Sequence, residues 1–260
     1  MLEIKNVTIS YGDRPTVKNF SMALKKGEIA SIVGESGSGK TTVIRAVLGL
    51  LPGGGKVTEG DILFEGKSLL ENTAEEWRNL RGTDMSMIFQ DSGAMLNPIR
   101  KIGSVFVEYI RTHEKISRKA AWEKGREMLE QMRLPSSDNI MKSYPFQLSG
   151  GMRQRVGIAM AMTFQPKLLL ADEPTSALDV TTQAQIVRQM MELREEWGTS
   201  IIMVTHNLGA AAYMSDQILV MKEGQIADTG SRDQILKGGR SVYTQELLEA
   251  VPSLGGERYV

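Results

Sequence analysis

Eight residues near the amino-terminus combine glycines, a lysine and a threonine in a spacing that can bind phosphate. Residues 34–41 read Gly-Glu-Ser-Gly-Ser-Gly-Lys-Thr and fit the pattern G-x-x-x-x-G-K-[ST]. Glycines let backbone N–H groups wrap around a phosphate, and a following helix N-terminus adds partial positive charge. We expect Lys40 to reach the β- and γ-phosphates of a nucleotide and the Thr41 hydroxyl to ligate Mg²⁺. The residues predicted to surround these phosphates are Gly34, Ser36, Gly37, Ser38, Gly39, Lys40, Thr41 and Thr42.

A second group of reactive residues follows an apolar run further along the chain. Residues 168–171 are Leu-Leu-Leu-Ala, and Asp172 and Glu173 come directly after them. Ligands bind at the carboxyl ends of parallel strands in α/β sheets, so both carboxylates are expected at such an edge. Asp172 would hold Mg²⁺, directly or through water, and Glu173 would accept a proton from an attacking water or orient it. A solvated acidic turn before Pro174 is the alternative, and the phosphate-binding pattern upstream makes it the weaker one.

Alternating strands and helices are predicted to position these residues. A short apolar run precedes the phosphate-binding pattern, and a pattern with apolar side chains on one helical face follows it. The predicted strands are 2–10 (with a bulge), 29–33, 61–65, 168–171, 201–204, 218–221 and 225–227. The predicted helices are 41–50, most of 104–133, 149–164 and 182–197. This alternation predicts an α/β fold with a mainly parallel central sheet and a helical insert of about seventy residues.

Composition excludes several other classes of protein. The chain has 260 residues, with 31 Lys and Arg against 31 Asp and Glu, so its formal net charge is zero. A general nucleic-acid binder would show a basic excess, and we expect no nucleic-acid partner. The absence of cysteine excludes disulfides, thiolate metal sites and cysteine nucleophiles, and two histidines exclude a multi-histidine metal site. No apolar stretch approaches a membrane span and no signal-peptide pattern opens the chain, so it is expected in the cytoplasm, with any membrane role exerted through partners.

Further motifs, in a fixed order along the chain, resemble those of the ABC ATPases. Leu148-Ser149-Gly150-Gly151-Met152, which lies between the two groups described above, resembles the signature motif of that family. The other matching motifs are Gln90 after Met87-Ile88-Phe89 (the Q-loop glutamine), Ser176-Ala177-Leu178-Asp179 (the D-loop), His206 after Val204-Thr205 (the switch histidine) and Tyr11 (the aromatic residue that stacks on adenine). Their joint order is specific, and the resemblance runs from residue 2 to about residue 230.

The resemblance implies a fold and a division of roles. The fold would be that of a P-loop NTPase, an ABC-type nucleotide-binding domain, with an antiparallel β subdomain and a helical insert beside the mainly parallel sheet. The signature would bind the γ-phosphate of ATP held by a second subunit; a simple helix cap by Ser149 is a reading compatible with it. The nucleotide contacts so implied are Tyr11, Gln90, Ser149, Gly150, Gly151 and Asp179, and the Mg²⁺ ligands are Thr41, Gln90 and Asp172.

The two histidines are expected to differ in role. His206 falls at the carboxyl end of a predicted parallel strand, as Asp172 and Glu173 do. We expect it to contact the γ-phosphate or to polarise the water through Glu173, so the predicted catalytic residues are Glu173 and His206. A structural histidine after a buried strand is the alternative. His113 has no comparable context and is predicted to be a surface residue.

Three stretches narrow the resemblance to the peptide/nickel importer ATPases. They are Phe89-Gln90-Asp91 with Leu96-Asn97-Pro98 and Ile102-Gly103, then Tyr144-Pro145-Phe146-Gln147 with Gly151-Met152-Arg153-Gln154-Arg155, and finally Val242-Tyr243-Thr244 with Leu247-Leu248 and Pro252. The chain departs from the group at Asn207, where Asp usually follows the histidine, and matches it less closely at Ser92-Gly93-Ala94.

The resemblance implies ATP hydrolysis, with ATP and Mg²⁺ as cofactors, that powers import through membrane permeases. The expected partners are two permease subunits, a second ABC ATPase subunit and, indirectly, an extracytoplasmic substrate-binding protein. A heterodimer is favoured over a homodimer, and the chain would lie at the cytoplasmic face of the membrane. The cargo (peptides, nickel or a related metal chelate) stays open. The alternatives are an exporter ATPase and a cytosolic ABC ATPase without a transport role.

One ABC ATPase domain is expected over the whole chain, 1–260. Its expected parts are a phosphate-loop and β lobe over 1–90, a helical signature subdomain over 91–160, the acidic strand and switch histidine over 161–230, and a C-terminal tail over 231–260. The segment from Gln90 into the insert would touch a short cytoplasmic helix of a permease.

Overall fold

The computed structural model describes residues 1–250 except Ala177, and the short strands 253–254 and 257–258. The side chains of Ala94 and Val180, and those beyond residue 250, are outside the description. Two residues of the predicted motifs, Ala177 of the D-loop and Pro252 of the carboxyl-terminal stretch, therefore lie outside the described residues.

Strands and helices alternate along the chain. The strands are β1 (Leu2–Tyr11), β2 (Arg14–Leu24), β3 (Ile29–Val33), β4 (Lys56–Phe64), β5 (Lys67–Ser68), β6 (Met85–Ile88), β7 (Leu168–Asp172), β8 (Ser200–Thr205), β9 (Gln217–Lys222), β10 (Gln225–Ser231), β11 (Ser253–Leu254) and β12 (Glu257–Arg258). The helices are α1 (Lys40–Val47), α2 (Ala74–Leu80), α3 (Ser92–Met95), α4 (Ile102–His113), α5 (Arg118–Gln131), α6 (Ser137–Lys142), α7 (Gly150–Met162), α8 (Val180–Trp197), α9 (Leu208–Met214), α10 (Arg232–Leu236) and α11 (Val242–Glu249), with one 3₁₀ turn at Pro145–Gln147.

The chain divides into two compact units. The first unit comprises Met1–Trp77 and Ser200–Val260, and the second comprises Arg78–Thr199. The phosphate-binding pattern and His206 belong to the first unit, whereas Gln90, the acidic strand end and the signature belong to the second. The expected division of one domain into four consecutive parts stays a prediction.

The first unit contains two larger sheets and the short antiparallel pair of β11 and β12. An antiparallel sheet has the order β2-β1-β4-β5, and the β1 register slips between Ile4 and Val7, which confirms the predicted bulge. In the other sheet, β3 is paired in parallel with β8 on one side and β9 on the other, and β10 is antiparallel to β9. All residues of β3 and β8 are buried, which explains their continuous apolar sequences. The largest fully buried side chains of this unit are Phe20, Leu2, Ile9, Leu24, Ile29, Ile32, Ile44 and Ile62.

The second unit holds the parallel pair β6 and β7 together with helices α3 to α8. Ile88 at the end of β6 lies opposite Ala171 in β7, so the segments that follow these two strands begin side by side. Strand β7 is buried along its whole length. Phe106, Met85, Ile88 and Ile102 are the largest fully buried side chains here. The predicted α/β class, with parallel strands and a helical insert, is thus confirmed.

The stretch 104–133, which the sequence predicts to be mostly helical, forms two helices, α4 and α5. The chain is extended at Glu114, and α5 begins at its own cap, Ser117. The prediction that His113 is a surface residue is wrong: it is half-buried, and its ring meets those of Tyr109 and Phe164 edge to face at 5.3 Å. Desolvation lowers the pKa of His113, so its ring is the neutral form that such packing favours.

Strand β2 and helices α9, α10 and α11 had no counterpart in the sequence predictions. The three helices are short, and short segments carry weak periodicity. None of the described helices combines the length and the apolarity that a membrane crossing requires.

Candidate functional site

The phosphate-binding pattern forms a loop between β3 and α1, as predicted. The Lys40 side chain folds back over this loop and is 5% exposed. Its ammonium group donates to the Gly34 carbonyl at 2.8 Å, to the Glu35 carbonyl at 2.6 Å and to Ser38 Oγ at 3.5 Å. The loop therefore holds the positive charge of Lys40 through hydrogen bonds to its own carbonyl and hydroxyl groups.

Glycine at position 34 is a steric requirement of the fold. Its φ is +157°, and a Cβ built there would lie 2.1 Å from the Met221 carbonyl oxygen at the end of β9. Gly37 and Gly39, with φ of +82° and +99°, adopt left-handed conformations that L side chains rarely reach. The loop thus keeps its shape because three positions have no side chain.

The first turn of α1 has the chemistry that a nucleotide phosphate and its metal require. It carries no acidic side chain, so the partial positive charge of the helix N-terminus is not neutralised. Thr41 and Thr42 are half-buried in this turn and present hydroxyl groups, which are hard oxygen ligands of the kind Mg²⁺ accepts. Together with the buried Lys40, these features fit ATP with Mg²⁺.

Tyr11 ends β1 and lies half-buried against the backbone of Gly55. A Cβ built on Gly55 would come within 2.5 Å of the Tyr11 ring, so the ring rests directly on that glycine. The structure therefore shows one contact of this ring, and its stacking on adenine stays a prediction.

His206 leaves the sheet beside the phosphate loop. Thr205, the last residue of β8, is the register partner of Val33, the last residue of β3. His206 and Gly34 therefore follow neighbouring parallel strands, and the His206 side chain is exposed. Asn207 caps α9 by accepting a hydrogen bond from the Ala210 N–H at 3.1 Å, which is the bond that an aspartate there would also accept.

Gln90 and Glu173 meet in the second unit. They follow β6 and β7, and Gln90 Nε2 donates to Glu173 Oε2 at 3.3 Å. Asp172 ends β7 and is 4% exposed, whereas Glu173 is half-buried and Gln90 is exposed. The structure thus joins a predicted metal ligand to the predicted catalytic carboxylate.

Glu173 has an unusual backbone conformation. Its φ is +43°, in the left-handed region that non-glycine residues rarely adopt. The residue before a proline is disfavoured in the right-handed helical region, and Pro174 follows. Ser176 stabilises the turn by donating its N–H and its hydroxyl to the Glu173 carbonyl, both at 3.2 Å. The turn orients the Glu173 carboxylate. Its left-handed backbone costs conformational energy, as strained residues at functional sites do.

The signature and the D-loop are connected through one threonine. Ser149 caps α7 by accepting from the Met152 N–H at 3.3 Å, and Asp179 caps α8 by accepting from the Thr182 N–H at 3.0 Å and its hydroxyl at 2.7 Å. These bonds, led by the one from the Thr182 N–H, lower the pKa of Asp179. The methyl group of Thr182 faces Gly151, since a Cβ there would lie 2.9 Å from it. The cap by Ser149 is confirmed, and its contact with a phosphate stays a prediction.

Gln154 had no predicted role of its own, and the structure places it among the buried residues of the second unit. This side chain of α7 is 5% exposed. Its oxygen accepts from the Ser92 N–H at 3.3 Å and its amide donates to the Pro174 carbonyl at 2.7 Å. It therefore connects the signature helix to the segment after Gln90 and to the turn at Glu173. Its place in Gly151-Met152-Arg153-Gln154-Arg155, a stretch that resembles the importer ATPases, was the sequence signal for it.

Within each unit, then, the predicted residues form connected groups. The loop residues and His206 lie at one sheet edge of the first unit, and Gln90, Asp172, Glu173 and the linked signature and D-loop lie in the second. Over the described residues, no three His, Cys, Asp or Glu side chains cluster as a metal site of their own.

Comparison with known proteins identifies the class that this fold and these residues define. The model of the ABC transporter family matches residues 17–176. The chain belongs to the ABC transporter family, and its domain is an ATPase that uses ATP with Mg²⁺.

Relatives with assigned names extend the match over nearly the whole chain. The chain is 45% identical over 259 residues to the oligopeptide transport ATP-binding protein OppD of Bacillus subtilis, covering 98% of this chain and 72% of OppD. It is 42% identical over 265 residues to the glutathione import ATP-binding protein GsiA of Escherichia coli strain K12, again over 98% of this chain. That match spans 42% of GsiA, so the chain corresponds to less than half of that protein.

Solved structures agree with the fold. The dimeric ATP-binding cassette MJ0796, in a post-hydrolysis state bound to ADP and phosphate, matches with a TM-score of 0.79 and 29% identity, covering 89% of this chain and 99% of that one. CbiO1 from Clostridium perfringens, part of the transporter complex cbiONQ, matches with a TM-score of 0.78 and 25% identity, covering 91% of this chain and 90% of its own.

Proposed function

We propose that this chain is the ATP-hydrolysing subunit of an ABC importer whose cargo is a peptide or a peptide-like compound. The single observation that carries the coupling of hydrolysis to transport is the Gln90–Glu173 hydrogen bond at the ends of β6 and β7. This hydrogen bond connects Glu173, whose carboxylate is suited to activate water, with Gln90 at the start of the helical insert. Import and cargo class rest on the similarity to OppD and GsiA, whose names state oligopeptide transport and glutathione import.

The roles follow from the chemistry of each group. Lys40 and the loop amides would bind the β- and γ-phosphates, and Thr41, Gln90 and Asp172 would hold Mg²⁺. Glu173 would orient the attacking water and take its proton, because its carboxylate is held by the turn before Pro174. His206 would contact the γ-phosphate from the end of β8. Loss of that phosphate would then release Gln90 and the segment after it.

A second ATPase chain would complete each ATP site. Ser149 and Gly150 are exposed at the N-terminus of α7, and no atom lies within 4 Å of a Cβ built on Gly150. This open helix end suits the γ-phosphate of ATP bound to another chain. The matching MJ0796 structure is described as dimeric, which supports two facing cassettes. We favour a heterodimer with a related ATPase over a homodimer.

The second unit also offers an apolar surface for permeases. Ile99, Phe146 and Met95 are 81%, 70% and 64% exposed, and they belong to the stretches after Gln90 and before the signature. Contiguous exposed apolar patches mark protein contacts, and we propose that these side chains form one. Two permease subunits would bind here and keep the chain at the cytoplasmic face of the membrane, with a substrate-binding protein acting from the other side.

The substitution Glu173→Gln tests the chemistry. We expect turnover to fall at least about a hundredfold, because a neutral amide cannot accept the proton, while ATP binding persists and a dimer accumulates with ATP and Mg²⁺. The matched control is Glu195→Gln, an exposed glutamate of α8. Steady-state phosphate release and size-exclusion chromatography measure both quantities. Turnover like that of the unsubstituted chain would refute the assignment of Glu173.

Capture from membranes tests the transport role. The tagged Glu173→Gln chain is added with ATP and Mg²⁺ to detergent-solubilised membranes of the source cells, and bound proteins are identified by mass spectrometry. We expect two polytopic proteins and a second ATPase. Capture of ribosomal proteins or nucleic acid without a permease would refute the importer role. Capture of further copies of this chain, with no different ATPase, would favour the homodimer.

A further inference from the structure

The carboxyl-terminal stretch that resembles the importer ATPases contacts the phosphate loop. Tyr243 lies in the first turn of α11 and is 6% exposed. Its hydroxyl oxygen accepts a hydrogen bond from the Glu35 N–H, within the loop, at 3.2 Å. The two residues are 208 positions apart in sequence, and both belong to the first unit. A residue outside the phosphate-binding pattern thus holds one of the loop's backbone amides.

The charge of the Glu35 side chain also acts on this hydroxyl group. Burial, the largest influence, raises the pKa of Tyr243, and the negative charge of Glu35 raises it further, although the Glu35 N–H opposes this shift. The phenol therefore stays protonated at neutral pH, and its oxygen is the acceptor for the Glu35 N–H.

The ring of Tyr243 is fixed from another side by β9. Lys222 Nζ lies 4.5 Å from the ring centroid, in a cation–π arrangement. Lys222 follows Met221, the residue whose carbonyl excludes any side chain at Gly34. The tyrosine, the end of β9 and the loop are therefore a single packed group.

The start of α11 is anchored independently of the loop. Asp228 of β10 accepts hydrogen bonds at one oxygen, Oδ2, from the N–H of Arg240, the N–H of Ser241 and the hydroxyl of Thr244. Ser241 in turn caps α11 by accepting from the Thr244 N–H at 3.0 Å. Because these hydrogen bonds fix the N-terminal end of α11, the helix presents Tyr243 to the loop in one orientation.

We propose that Tyr243 is a positioning residue that holds the phosphate loop in the conformation that binds ATP. This inference rests on the proposed function, since it concerns the same nucleotide site. A loop that spends only a fraction of its time in the competent conformation binds with an affinity reduced by that fraction. The carboxyl-terminal helix thereby acts on nucleotide binding through Glu35, without touching the phosphates.

The substitution Tyr243→Phe removes the hydroxyl and keeps the ring. A hydrogen bond of ordinary net worth predicts that the Kd and KM for ATP with Mg²⁺ rise roughly three- to tenfold. The kcat at saturating ATP should stay within about twofold, because bound nucleotide restores the loop. Amide hydrogen exchange at Glu35, measured without nucleotide, should accelerate by a similar factor. The matched control is Tyr213→Phe, an exposed tyrosine of α9, which should leave all these quantities unchanged.

Three outcomes decide the inference. If Tyr243→Phe keeps the original Kd and Glu35 exchange rate, while Tyr243→Leu lowers Tm, the tyrosine only packs and the proposal is wrong. Equal effects of Tyr243→Phe and Tyr213→Phe would also refute it. Lys40→Ala, measured in parallel, distinguishes failure of the proposed nucleotide site from failure of the positioning role of Tyr243. If that variant binds ATP normally the proposed site itself fails, whereas its loss of binding beside an unaffected Tyr243→Phe overturns the positioning role alone.

Discussion

Two regions differ in how their conformation is stabilised. They are the phosphate loop of the first unit and the signature at the start of α7 in the second unit. Lys40 is buried and makes three hydrogen bonds inside its own loop, and Tyr243 adds a fourth contact from α11. Ser149 and Gly150, in contrast, are exposed. The loop is shaped by contacts within the first unit, whereas the signature has an open helix end, where we propose that a phosphate held by another chain binds.

The glycines of the two regions show the same difference. Gly34 is required by the chain itself, because the Met221 carbonyl fills the place of a side chain. Gly150 has open space around it and a backbone outside the left-handed region, so the isolated chain has no steric need for glycine there. A glycine without a reason inside the chain indicates close approach by something outside it.

The substitution Gly34→Ala should have the largest effect on stability and on ATP binding. The added Cβ meets a backbone oxygen that cannot move without disrupting β9, so we expect roughly 3 kcal/mol or more of lost stability and no measurable ATP binding. Gly53→Ala, in an open turn with φ of +59°, is the control and should cost only about 1 kcal/mol. Urea unfolding and nucleotide titration measure both. A stable, ATP-binding Gly34→Ala chain would contradict the structure of the loop.

The substitution Gly150→Ala should separate folding from activity. Alanine favours a helix over glycine, so the free energy of unfolding should stay equal or rise by up to about 1 kcal/mol. Turnover should nevertheless fall by about a hundredfold, because a methyl group displaces the facing phosphate by a distance on the order of 1 Å. Thermal unfolding and phosphate release on the assembled pair of ATPases provide the measurement. Full turnover in this variant would show that nothing docks at the signature.

The substitution Gln154→Leu tests whether the second unit depends on one buried amide. The Ser92 N–H and the Pro174 carbonyl would lose their partner, at a cost of roughly 1–3 kcal/mol. Since the turn at Glu173 loosens, turnover should fall by about tenfold more than ATP affinity does. Gln131→Leu, an exposed residue of α5, is the control. Parallel losses of kcat and ATP affinity would instead indicate general destabilisation.

The substitution Asp228→Asn should have the smallest effect and a defined dependence on pH. Desolvation is the largest single influence on this carboxyl and opposes ionisation, but hydrogen bonds, led by that from the Arg240 N–H, together lower the pKa of Asp228. A carboxylate with a lowered folded-state pKa stabilises above its unfolded value of about 3.9, and this contribution disappears as pH falls through the folded value.

We therefore expect Asp228→Asn to lose about 1 kcal/mol at pH 7 and to approach the original stability below pH ~4. Denaturant unfolding at several pH values measures the difference. The control is Asp13→Asn, an exposed residue of the turn between β1 and β2. A deficit that is the same at pH 3 and pH 7 would show that the Asp228 charge has no part in anchoring α11.

Much of the fold could be predicted because its elements carry strong local patterns. The apolar runs of β3, β7 and β8 and the helix α8, with Gly198 at its left-handed end, lie where the sequence placed them. The phosphate loop follows from fixed spacing within eight residues. Elements such as β2 and α9 were not predicted, because they are stabilised by their neighbours more than by their own periodicity.

The class of the protein could be predicted from the amino-acid sequence, because each motif is a short local pattern and their order along the chain is specific. The distant residues that support these motifs are visible in the folded structure alone. Gln90 and Glu173 are 83 positions apart, and parallel strands in register bring them within 3.3 Å. Tyr243, Gln154 and Asp228 act through contacts that no spacing rule encodes. The physical reason is that a hydrogen bond depends on positions in space, which long-range packing sets after the local pattern has formed.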